Sequence, residues 1–139
     1  MKILIAVDGS RYTAKAVNYL IKHREQFGGA QLTLLNVNMQ IPGRAANHLG
    51  RAVVQGYYAD MCEAALAPAR RLLQKAGLVF LDKWLVGDPG DEVAKFADKG
   101  KFDLVVMGSH GQGLFANLVL GSVATKVLAG CKVPVLVIR

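Results

Sequence analysis

Two short segments of this 139-residue chain carry residue types and spacings that could do chemistry. The first is Gly108-Ser109-His110-Gly111-Gln112-Gly113-Leu114, followed after Gly111 by nine residues and then Gly121-Ser122-Val123-Ala124. The second is Asp8-Gly9-Ser10, close to the start of the chain. Glycines directly after a strand let the backbone take positive φ and approach a ligand with no Cβ in the way. Their successive N–H groups can then face one concavity. A helix opening at Ser122 adds free N–H donors and a positive dipole end. Such a site suits a phosphate or another small anion, with the hydroxyls of Ser109 and Ser122 as further donors. His110 can act as a phosphate contact, a turn residue or a base. Asp8 can orient a metal or a ribose, or cap its own turn.

These segments need elements to position them. Leu104-Val105-Val106-Met107, bounded by Asp103 and Gly108, reads as a buried parallel strand. Ile3 to Val7 is a similar apolar run, and Ser10 after it is placed to cap a helix whose apolar stripe is Ala14, Val17, Leu20 and Ile21. That helix is expected to reach about Gln26, before Gly28-Gly29. Leu32 to Val37 gives a second strand, and the polar stretch with Pro42, Gly43 and Gly50 is the loosest part of the chain. A long helix is predicted over Arg51 to Lys75, with a kink or a fresh start near Ala67 because Pro68 lacks a backbone donor. Val79 to Val86 is a third strand, and Asp82 and Lys83 within it point to a sheet edge. Gly87-Asp-Pro-Gly90 turns into a helix over Asp91 to Asp98. Ser122 to Ala129 is a further helix, and Val133 to Ile138 a fifth strand.

Helical patterns between all successive strands predict an α/β fold, a doubly wound parallel sheet of five strands with helices on both faces. At this length the chain, residues 1–139, reads as one domain. Ligands of such sheets bind beyond the carboxyl ends of strands where strand order reverses, and both chemical segments lie at carboxyl ends.

Composition excludes several classes. With 53% hydrophobic and 19% charged residues the chain is neither disordered nor fibrous. A net charge of +7 favours anionic partners through the summed field. The basic residues (Arg24, Arg44, Arg51, Arg70-Arg71, Lys99, Lys101) form no block and have no interleaved aromatics, so nucleic acid is not the expected partner. Cys62 and Cys131 belong to no metal or redox spacing and read as free thiols, consistent with a cytoplasmic protein. The histidines His23, His48 and His110 have no partners at zinc spacing. No apolar run approaches a membrane span, and the opening run stops at Asp8.

The ordered set of segments resembles the universal stress protein family over essentially the whole chain. Lys2-Ile-Leu-Ile-Ala-Val-Asp8-Gly9-Ser10 matches its first strand and turn, Leu34-Leu-Asn-Val37 its second strand, and Gly87-Asp-Pro89 its turn after the third. Gly108-x2-Gly111-x9-Gly121-Ser122-Val123 matches the pattern of its nucleotide-binding branch, and Cys131 to Arg139 its ending. The resemblance implies strand order 3-2-1-4-5 and an adenine nucleotide as ligand: ATP, AMP or ADP, with a divalent metal (Mg or Mn) held by the phosphates. It places the base near Ala6, Asp8 and Val37, and the phosphates along the loop Gly108 to Leu114 and at Ser122 to Ala124, with Met107 and Gly121 as further cofactor-binding residues. Asn36 stands where the family often has histidine, and Gln112 where it often has Lys or Arg.

The resemblance further implies a stress-response regulatory protein acting as a homodimer through Val133 to Ile138. Those residues are apolar on both strand faces and would form a sheet edge open to a second copy. Two other readings stand beside it: a slow ATPase or phosphoryl-transfer protein, and a nucleotide-free dimeric scaffold. The chain lacks a GxxxxGK[ST] loop, and no residue is assigned a catalytic role.

Overall fold

The computed structural model describes residues 1–113 and 119–139. Its strands are β1 (Lys2–Ala6), β2 (Gln31–Asn38), β3 (Phe80–Val86), β4 (Leu104–Gly108) and β5 (Val135–Ile138). The helices are α1 (Arg11–Lys22), α2 (Gly43–Leu49), α3 (Arg51–Lys75), α4 (Pro89–Lys99) and α5 (Ser122–Gly130). All strand pairs are parallel, in the order β3-β2-β1-β4-β5, as the family resemblance implied. Ile3 aligns with Leu32 on one side and Leu104 on the other, and Met107 aligns with Val137.

Alternation along β1 explains why the sheet is covered on both faces. Ile3 and Ile5 point to one side, where they meet Ala16, Val17 and Leu20 of α1 and Leu66, Ala69 and Leu73 of α3. Leu4 points to the other, where Leu35, Val105 and Met107 pack with Val93 and Ala97 of α4 and Ala124 and Val127 of α5. Central strands wetted on neither face read as unbroken apolar runs. β3 lies at an edge, as its mid-strand charges predicted, and Asp82 pairs there with Arg70 of α3.

Several boundaries differ from the sequence expectation. The stretch around Pro42 and Gly43 is not all loop: it holds α2, whose residues are largely exposed, so no buried stripe announced it. α3 runs unbroken through Pro68, so no fresh start occurs at Ala67. One proline removes one donor, and buried Leu66, Ala69 and Leu73 on the same helix hold the turns on either side. α1 ends at Lys22 rather than Gln26, and β5 starts at Val135, after Pro134. α4 begins two residues early, at Pro89, because Asp88 caps it by accepting from Asp91 N at 3.1 Å and proline suits the first helical turn.

Candidate functional site

Three strand ends and one helix start converge where the strand order reverses. At the end of β1, Asp8 Oδ1 accepts from Ser10 N at 2.9 Å and from Thr13 Oγ1 at 2.7 Å. Ser10 Oγ in turn accepts from Thr13 N and caps α1. Gly9 has φ +79°, and a Cβ there would sit 3.2 Å from the Cα of Ala65, so the turn is seated directly on α3. One carboxylate oxygen of Asp8 therefore holds the turn. The other faces Gly111 across the crevice.

The end of β2 adds a polar ladder. Buried Asn36 donates from Nδ2 to Val7 O at 2.8 Å, which ties β2 to β1 beyond the paired residues. Asn38 Nδ2 reaches both Asn36 Oδ1 at 3.1 Å and Cys62 Sγ at 2.7 Å. Burial pushes the Cys62 thiol up, partly offset by the Asn38 contact, so it stays protonated at neutral pH. Both cysteines are free, as the sequence predicts.

From β4 the chain enters the glycine segment. Fully buried Ser109 is held at three points: its N donates to Ile138 O at 2.7 Å, its O accepts from Gly121 N at 2.7 Å, and its Oγ meets His110 Nδ1 at 2.8 Å. The His110 ring lies 5.1 Å from that of Tyr12. The glycines act through close approach. A Cβ at Gly108 would lie 2.6 Å from Tyr12 Cβ, one at Gly111 2.9 Å from Asp8 Oδ2, and one at Gly121 3.2 Å from His110 Cα. The expectation of positive φ in this loop is corrected: Gly108, Gly111 and Gly121 are not among the positive-φ glycines, and Gly121 has φ −73°. Gln112 crosses the crevice and donates from Nε2 to Asp8 O at 2.6 Å. At Ser122 α5 begins with no side-chain cap, which leaves its first N–H groups for a ligand.

These parts enclose a cleft of about 800 Å³. Of the fifteen residues predicted from sequence, fourteen line it: Ala6, Asp8, Val37, Met107, Gly108, Ser109, His110, Gly111, Gln112, Gly113, Gly121, Ser122, Val123 and Ala124. Leu114 lies outside the described residues. Sequence reasoning missed the wall from α3, formed by Tyr57, Met61, Ala64 and Ala65, and Pro89 and Val93 of α4. The spacing 57, 61, 64 and 65 is that of one helix face, and this signal was available. Pro68 also withdraws the donor that the carbonyl of Ala64 would otherwise accept from. Among the described residues no cluster of three His, Cys, Asp or Glu could hold a metal, and no helix is long and apolar enough to cross a membrane. The cleft's carboxylate is Asp8, so a divalent cation would need phosphate oxygens for most of its shell.

The fold and cleft define a small α/β protein with a ligand crevice at the reversal of strand order. The chain belongs to the universal stress protein family, whose sequence model matches residues 1–139. A universal stress protein of Thermus aquaticus is 31% identical over 138 residues, covering 99% of this chain and 97% of its own. A universal stress protein crystallised in complex with cAMP superposes with a TM-score of 0.72 at 25% identity, covering 100% of this chain and 97% of that one. One from Archaeoglobus fulgidus in complex with dAMP gives a TM-score of 0.72 at 21% identity, covering 100% and 98%.

Proposed function

We propose that this protein binds an adenine nucleotide in the cleft and acts as a cytoplasmic stress-response regulator rather than an efficient enzyme. The observation that carries this reading is the convergence of the Gly108–Gly113 segment, the uncapped start of α5 and the Asp8 turn on one crevice. Backbone donors there suit phosphate oxygens, and the apolar wall of Ala6, Val37, Met61 and Met107 suits a base. Structural relatives solved with cAMP and with dAMP support it. The ligand class covers AMP, ADP and ATP, the last two with Mg or Mn bridging the phosphates. Efficient phosphoryl transfer needs positioned charge around the moving group, and the described lining offers the Asp8 carboxylate, the His110 ring and neutral donors. Purified protein is expected to release an adenine nucleotide on denaturation, or to bind one in calorimetric titration. Absence of both would overturn the reading.

The same protein is proposed to be a homodimer through β5. Pro134 O accepts from Val105 N and Ile138 O from Ser109 N, so even-numbered residues face β4. Alternation then places the N–H and C=O groups of Val135 and Val137 on the outer edge, and the donor that Pro134 lacks belongs to the inner side. A second copy could extend the sheet there.

A further inference from the structure

We infer that the cleft is selective for a nucleotide with a single phosphate group, and that Gln112 is a residue that sets this selectivity; the inference rests on the adenine-nucleotide reading. The net charge of +7 does not describe this site. Charges on other surfaces are screened over about 8 Å at physiological salt, so the residues at the ligand decide. Among the described residues that line the cleft there is no lysine or arginine, and the sequence from Leu114 to Leu118 contains none. The fixed charge in that lining is the carboxylate of Asp8, which repels phosphate.

Cations close in sequence to these segments are turned to other partners. The Arg11 guanidinium donates to Tyr12 Oη at 3.0 Å and lies over that ring, and Lys15 lies over it as well. Lys126 pairs with Asp88 at 2.6 Å. Beside the His110 ring, which meets Ser109 Oγ at 2.8 Å, the described lining presents a set of neutral donors: the first N–H groups of α5, the loop amides and the Ser122 hydroxyl. Their partial positive charge is of the order of half an electron, enough to favour one phosphate. A second and third phosphate each add negative charge along the loop, whose Gly111 faces Asp8 Oδ2, with no lysine or arginine in the described lining to balance it. At the rim, where the loop meets the first turn, stands the uncharged Gln112 amide, bonded to Asp8 O at 2.6 Å.

The test is calorimetric titration of adenosine, AMP and ATP in EDTA and again with excess Mg2+, using the parent chain, Gln112→Lys and Gln112→Ala. In EDTA the parent is expected to bind AMP at least about ten-fold more tightly than ATP, and Mg2+ should narrow the gap by acting on ATP alone. Gln112→Lys should tighten ATP relative to AMP by about ten-fold, while Gln112→Ala, which removes the bridge without adding charge, should shift both ligands alike. Circular dichroism checks that the exposed substitutions leave the fold intact. ATP binding in EDTA as tightly as AMP, or a Gln112→Lys ratio equal to the parent's, overturns the inference while the nucleotide reading stands. Failure of adenosine, AMP and ATP alike overturns both.

Discussion

Gly111 faces a carboxylate oxygen of Asp8, and a Cβ at that position would come within 2.9 Å of it. A β-branched side chain must displace either the turn or the loop, and both line the cleft. Gly111→Val is therefore expected to abolish nucleotide binding while the circular dichroism spectrum is retained; unchanged affinity in a folded variant would refute the cradle. Asn36 makes a second test, because its amide serves buried Val7 O. Asn36→Leu leaves that carbonyl unsatisfied and should cost about 1–3 kcal/mol in urea unfolding. At this scale the sequence was informative where chemistry and spacing coincide. Asp8, the loop glycines and Ser122 could be named because residue type restricts what a position can do. Gln112 could be named as the loop position without the usual cation, but not its bond to Asp8 O, which spans 104 positions of chain and depends on the fold bringing β1 beside β4.

α1 and α4 owe their starting points to side-chain caps, and these are testable singly. Ser10→Ala removes the acceptor for Thr13 N and should destabilise the protein by about 1 kcal/mol, read from urea midpoints. Asp88 both caps α4 and pairs with Lys126 of α5, a contact that lowers its carboxyl below the ordinary range and raises the ammonium. A lowered carboxyl contributes stability that is complete above its unfolded value of about 3.9 and is lost as pH falls through the folded value. The difference in unfolding midpoint between parent and Asp88→Asn should therefore be flat near neutrality and shrink below about pH 4. Both groups are exposed, so high salt should reduce it throughout. Element existence was legible wherever an apolar run or stripe was long, as in β1, β4 and α1. It failed for α2, which buries nothing, and at Pro68, where tertiary packing outweighs the local preference for a break.

For the whole molecule, the proposed pairing through β5 predicts a dimer mass by light scattering at micromolar concentration and a monomer for Val135→Lys. A monomeric parent, or an unchanged dimer in that folded variant, would exclude this interface. β5 is four residues long, and its inner side ends in the bond from Ser109 N to Ile138 O. The same short strand thus supports the glycine loop on one side and would receive the partner on the other. If nucleotide and partner each act on this strand, linkage makes their effects on one another equal. With both proposals in place, nucleotide affinity would rise with protein concentration, and dilution would weaken the hold of the cleft on its ligand.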